Sequence, residues 1–163
     1  MTNKYLLNQS QKQGFTLVEI VVVVVILIII ATIVVMPFSQ FRNQQILAGA
    51  ADNILTLVNQ ARSQTLAAKN DLNYGVYFAT SSVTIFSGSI YDQEALDNKE
   101  IILSDKVNIS DISIGGAGDS SIIFSRLTGI TNASGTVTVS LVSSIEKNKV
   151  ILINEAGIAS IVE

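Results

Sequence analysis

Glu19 is the only charged residue between Phe15 and Met36, and it stands near the mouth of that otherwise uncharged segment. An ionised group at the edge of a bilayer-length apolar run is costly unless something pairs with it, so Glu19 is a functional candidate by default. The chemistry open to it is ion pairing with an amine. The chain has no histidine and no cysteine. That removes the commonest general base, the commonest zinc ligand, any disulfide and lipidation on cysteine. Serine, lysine, aspartate and glutamate form no catalytic constellation here, so no catalytic residue, metal or cofactor is expected. Asp92, Glu94, Asp97 and Glu100 lack the spacing of a calcium loop and read as a solvated loop. Gly115-Gly116-Ala117-Gly118 lacks the Lys-Ser/Thr and helix start of a phosphate-binding loop and reads as a hairpin connection.

The elements that position Glu19 can be read from periodicity. Residues 15–36 would span about 33 Å as a helix at ~1.5 Å per residue, enough for a hydrocarbon core. Val21 to Ile30 is almost entirely β-branched. That is poor helix material in water, but in lipid the backbone must satisfy itself within the segment. A secretory signal peptide would be shorter and end in a small-x-small site. Ile33-Val34-Val35-Met36-Pro37 offers none. A plain signal anchor explains the apolar run and the leader lysines Lys4 and Lys12, but not the sequence around Glu19.

From Phe38 to about Lys69 the pattern is amphipathic. Ile46, Ala50, Ile54, Leu57, Ala61 and Thr65 recur at steps of three and four, flanked by Leu47, Val58 and Leu66. That stripe predicts a helix packed on the chain's own sheet. Asn70-Asp71, Asn73 and Gly75 supply the stop. Beyond residue 70 the period becomes two: Leu72, Tyr74, Val76 and Phe78, then Val83 and Ile85, Ile112 and Ile114, and Val137, Val139 and Leu141. Ile122 to Phe124, Val150 to Ile153 and Ile158 to Val162 add short apolar runs. Seven or eight strands separated by turn residues predict an antiparallel sandwich or two stacked sheets. Asp92 to Glu100 and the turn Glu146-Lys147-Asn148-Lys149 fall between the strands. The fold class expected is α+β. The organisation is a leader at 1–14, a membrane-spanning helix at 15–37, its amphipathic continuation at 38–70 and a β-rich domain at 71–163.

Gly14-Phe15-Thr16-Leu17-Val18-Glu19, set directly before the apolar run, resembles the N-terminus of type IV pilin-like precursors. That family includes type IV pilins and the pseudopilins of type II secretion. The resemblance implies that a prepilin peptidase cuts after Gly14 and methylates the amine of Phe15. It implies that Glu19 faces the N-terminal amine of a neighbouring subunit. Each charge would be costly to bury alone, and the two mostly cancel when paired, so the pair rewards one axial offset between subunits. Cleavage removes Lys4 and Lys12, leaving 8 basic and 13 acidic residues, a net −5 against −3 for the whole chain. Pilins commonly carry a glycine within the apolar segment, where this chain has Ile28. Pro37 stands one residue later than the usual helix-loosening proline, yet still removes a helix hydrogen bond and marks a kink.

The C-terminal part is similar to H-type minor pseudopilins and FimT-like pilins. Ala61-Arg62-Ser63, Phe124 with Gly129, and Asn154-Glu155-Ala156-Gly157 match their short motifs in order. The expected function is therefore a structural subunit, a minor pilin or pseudopilin, with a pilin-like fold. Its partners would be the prepilin peptidase, other pilin or pseudopilin subunits and inner-membrane lipid. The N-terminus would lie in the cytoplasm and the β domain outside it. A pilus-tip module for adhesion or DNA uptake, or contact with a secreted substrate, is the alternative on the same scaffold. Against DNA stands the acidic balance, relieved only by Lys147 and Lys149. An anchored enzyme is the third class, and it lacks a constellation.

Overall fold

The structure is a computed structural model that describes residues 14–116 and 118–162. The leader ahead of Gly14, with Lys4 and Lys12, lies outside the described residues, as do Ala117 of the glycine-rich loop and Glu163. The chain divides into two compact units, Met1–Gln40 and Phe41–Glu163. Helix α1 (Leu17–Leu66) contributes to both and continues through Pro37.

In the first unit α1 is apolar around its whole circumference from Ile20 to Ile33, and those side chains are exposed. A helix apolar on every face and, among the described residues, packed against nothing suits a hydrocarbon surround, not water. The helix begins at Leu17, two residues later than the periodicity suggests, because Thr16 caps it. The Glu19 N–H donates to Thr16 Oγ1 at 3.2 Å, and the Ile20 N–H makes the first backbone helix bond to the Thr16 carbonyl.

The second unit buries the amphipathic half of α1. Leu47, Ala50, Ala51, Ile54, Leu57, Val58, Ala61 and Thr65 form the buried stripe, while Ile46 is half-buried and Leu66 lies at the exposed margin. Ala51 belongs to the stripe although the three-and-four stepping passes over it. After Leu66 come three left-handed residues, Ala68, Asn70 and Asp71. Asn and Asp tolerate that region better than most L-residues, which ends the helix in a single 3-10 turn, Lys69–Asp71.

Eight strands follow among the described residues: β1 (Tyr74–Phe78), β2 (Ser82–Ser87), β3 (Lys99–Ile102), β4 (Val107–Ile114), β5 (Ser121–Phe124), β6 (Gly135–Leu141), β7 (Ser144–Ile153) and β8 (Ala159–Val162). They make two four-stranded sheets with orders β3-β2-β1-β5 and β4-β6-β7-β8, antiparallel throughout. The stripe of α1 and alternate residues of both sheets share one core, including Val76, Phe78, Ile122, Phe124, Val137, Val139, Ile151 and Ile153. The expected antiparallel two-sheet domain behind a long apolar helix is what the chain forms.

Three local readings change. Gly75 is not part of the helix stop. It lies inside β1, where a Cβ would press on the Phe86 ring and sit 2.7 Å from the Ile122 carbonyl. Glycine is there for close approach of neighbouring strands. The segment expected as a solvated loop ends in β3, whose Lys99 and Glu100 belong to an edge strand too polar to show alternation. Its earlier part is ordered by its own bonds: the Glu94 N–H donates to Asp92 Oδ1 at 3.0 Å, Asn98 Nδ2 donates to the Asp92 carbonyl at 2.7 Å, and Ser87 Oγ donates to Asp97. Just before it, Tyr91 stacks on Tyr77 with centroids 4.1 Å apart and meets Phe86 edge-on at 5.5 Å. The segment therefore screens the outer face of the first sheet, where the alternation of β2 would otherwise leave Phe86 in water. Finally, Glu146 to Lys149 is not a turn but part of β7.

Candidate functional site

Gly14, Phe15 and Thr16 precede the helix and are exposed; Phe15 keeps 80% of its surface. No atom lies within 4 Å of where a Cβ on Gly14 would sit. A protease binds its substrate as extended backbone, and peptide bonds inside a helix are shielded by their own hydrogen bonds. The Gly14–Phe15 bond is thus in a conformation that an external enzyme can take up. The boundary is set by Thr16-Leu17-Val18-Glu19, a sequence of capping-box form: the threonine side chain accepts from the N–H three residues on. Thr16 is the functional neighbour that periodicity alone misses, and the T-x-x-E spacing was the signal that could have found it.

Glu19 occupies the first turn of α1, where the positive end of the helix dipole favours a carboxylate. Its backbone N–H is satisfied by Thr16, but among the described residues its carboxylate has no hydrogen-bond or ion-pair partner. The site therefore holds an exposed, non-helical Gly–Phe bond, a capped helix start and a carboxylate with no partner among the described residues, all within six residues, Gly14 to Glu19. Pro37 lies eighteen residues further along α1 and is not part of this cluster.

A second convergence lies at the other end of the amphipathic helix. Arg62, Phe124, Gly129 and Gly157, far apart in sequence, meet there. A Cβ on Gly157 would lie 3.1 Å from Arg62 Nε, 3.2 Å from Phe124 Cδ1, and against the Gly129 carbonyl. A Cβ on Gly129 would lie 3.2 Å from Arg62 Nε and 3.1 Å from Leu66 Cδ2. Both glycines have positive φ, +65° and +74°. Arg62 Nε is buried without a partner among the described residues. Thr131 closes the junction: its N–H donates to the Glu155 carbonyl at 3.0 Å, and its Oγ1 lies 3.2 Å from the Asn154 and Glu155 carbonyls. The helix end is tied in from the other side. The Tyr74 N–H donates to Thr65 Oγ1 at 3.1 Å, and Arg126 pairs with Asp71 at 2.8 Å. This junction is structural, and it makes a sharp prediction. Gly157→Ala should destabilise the second unit by about 3 kcal/mol, about 1 from left-handed strain and about 2 from displaced neighbours. A urea midpoint unchanged from the parent protein would show that the hairpin moves freely away from Arg62.

The chain matches the prokaryotic N-terminal methylation motif over residues 9–35. No curated protein matches it along its sequence. Solved structures do match its fold. The minor pseudopilin EpsH from the type 2 secretion system of Vibrio cholerae is 11% identical, with a TM-score of 0.53 over 71% of this chain and 95% of that one. The type IV minor pilin FimU of Pseudomonas aeruginosa, seen in two crystal forms, is 12% and 13% identical. Its TM-scores are 0.54 and 0.56, over 72% and 76% of this chain and 93% and 92% of the FimU chains. At such identities the likeness establishes fold. The motif is a separate match, made in the sequence of residues 9–35.

Proposed function

We propose that this chain, a type IV pilin-like protein anchored in the membrane by the apolar half of α1, is a structural subunit of a pilus or pseudopilus. In this reading it is cleaved between Gly14 and Phe15 and methylated on the new Phe15 amine. One observation carries the reading: the methylation motif coincides with an exposed, non-helical Gly14–Phe15 bond held just outside a capped helix. Prepilin peptidase takes up the non-helical segment, and the absence of a side chain at Gly14 lets the backbone enter a narrow cleft. Cleavage creates an amine four residues before Glu19. Once subunits associate through their apolar helices, the Glu19 carboxylate of one faces the Phe15 amine of the next. Lipid and neighbouring helices exclude water there, so only the matched axial offset neutralises both charges.

Pro37 is the position at which α1 loosens in the filament, since its ring removes one backbone donor. Lys4 and Lys12 before the span orient the N-terminus to the cytoplasm and the two-sheet unit to the far side. Adhesion, DNA uptake or contact with a secreted substrate would be added functions of that displayed unit, and no observation favours them over the filament role.

Co-expression with an active prepilin peptidase should yield a chain whose intact mass and N-terminal sequence begin at N-methylated Phe15. A chain that keeps its leader while a control substrate is cut would make α1 a simple signal anchor.

A further inference from the structure

A small recess lies within the second unit, between the C-terminal end of α1 and the first sheet. Its volume is about 160 Å³, room for several waters or one compact ligand. Buried side chains make its floor: Tyr74, Ile85 and Phe86 keep 6%, 3% and 1% of their surface. Lys69, Asp97 and Lys99 are exposed and form its rim. Both walls are fixed by bonds of their own. On the helix side the Asp71 N–H donates to the Ala68 carbonyl at 3.0 Å, the Leu72 N–H to the Lys69 carbonyl at 3.2 Å, and Arg126 holds Asp71. On the sheet side Lys99 pairs with Ile85 in the β2–β3 ladder, and Ser87 Oγ donates to Asp97 Oδ2.

Polar groups of this recess lack partners. Tyr74 is a core residue, yet its hydroxyl makes no hydrogen bond among the described residues, and that oxygen is not sealed from solvent. Lys69 Nζ stands 6.0 Å from the centre of the Tyr74 ring, within reach of its π face. Lys99 Nζ donates to Gln60 Oε1 at 3.1 Å. Both of those partners are neutral. Among the described residues neither ammonium has a carboxylate within 4.0 Å. Asp97 gives one carboxylate oxygen to Ser87, and its Oδ1 accepts no hydrogen bond among the described residues. The recess thus offers an anion two cations and a hydroxyl, and offers a donor one carboxylate oxygen.

We propose that this recess binds a protonated tetrahedral oxyanion, phosphate or a phosphomonoester. Lysine is a compact point charge that suits phosphate, whereas a planar carboxylate is better matched by the fork of arginine. Asp97 narrows the choice further. A carboxylate in the wall repels an anion that cannot donate a proton to it. Near neutral pH, phosphate and its monoesters keep one proton in part of the population. Sulfate and phosphodiesters keep none.

Isothermal titration calorimetry of the full chain in detergent, near neutral pH and at fixed ionic strength, tests this with inorganic phosphate as the probe. Saturable one-to-one binding is expected, with a Kd of about 1 mM or tighter. Sulfate and dimethyl phosphate should bind about tenfold more weakly or worse, the scale of one hydrogen bond to a charged group. Lys69→Gln with Lys99→Gln should weaken phosphate about 100-fold, and Tyr74→Phe, which keeps the ring, about tenfold. Both lysines are exposed, so their loss leaves the fold standing. Asp97→Asn should remove most of the preference for phosphate over sulfate, because its amide can donate. Methyl phosphate binding as tightly as phosphate would identify the ligand as a monoester, and much weaker binding would identify it as the free ion. No saturable heat by about 10 mM phosphate would overturn the site. Phosphate binding that survives the lysine and tyrosine changes would lie elsewhere on the protein and overturn it as well. Sulfate or dimethyl phosphate binding as tightly as phosphate would overturn the selection by Asp97.

Discussion

Glu19→Ala should leave membrane insertion and leader cleavage intact while lowering incorporation into sheared filaments by about two orders of magnitude, the scale of breaking a buried charge pair. The structure separates this effect from helix loss. The Glu19 N–H bonds to Thr16 Oγ1, a backbone interaction that alanine retains. What alanine removes is a carboxylate that has no partner among the described residues. In the proposed reading its contribution comes from outside the subunit, from the amine that cleavage would create at Phe15 of a neighbour. Quantifying the variant in membrane and filament fractions tests this directly. Wild-type incorporation would sink the amine–carboxylate account. Glu19→Asp keeps the charge but shortens its reach, and should recover part of the loss.

Phe124→Ala should cost the second unit about 4 kcal/mol, within the range for emptying a buried phenylalanine site. Phe124 is 0% exposed. It pairs with Tyr74 across the β1–β5 ladder, bridges to Thr131, and supports Gly157 in the junction around Arg62. Few neighbours can collapse into the space, because the helix, both sheets and two loops are already bonded to one another there. A domain of this size is stable by only about 5–15 kcal/mol. The loss should move the urea midpoint of the full chain in detergent by about 2 M. Tyrosine fluorescence reports it, since the chain has four tyrosines and no tryptophan. A midpoint within a few tenths of a molar of the parent would mean that the junction does not anchor the core.

Much of the architecture was legible because burial imposes a period. Tyr74, Val76 and Phe78, and Val137, Val139 and Leu141, alternate because one face of each strand meets the core. The helical stripe from Leu47 to Thr65 is visible for the same reason, with Ala51 hidden only by its small side chain. β3 was not legible, since Lys99 and Glu100 lie on an edge where both faces tolerate polar residues. The first half of β7 was obscured because its bulged, exposed residues have the composition of a turn. Gly75 looks like punctuation in the sequence, and only the Phe86 ring pressed above it shows why a strand needs a glycine there.

The division has a physical basis. Local chemistry written in consecutive residues determined the N-terminal methylation motif, the apolar half of α1 and the change from helix to sheet. Gly14 to Glu19 lie next to one another in the chain, and hydropathy accumulates along a single segment. Tertiary structure alone decided which distant residues share a task. It set Gly129 and Gly157 against Arg62, brought the lysines of β7 beside the start of the amphipathic helix, and folded Tyr91 over Phe86. Those contacts depend on sheet order and register. Both are set by the best joint burial of all the strands, and no single stretch of the chain encodes that.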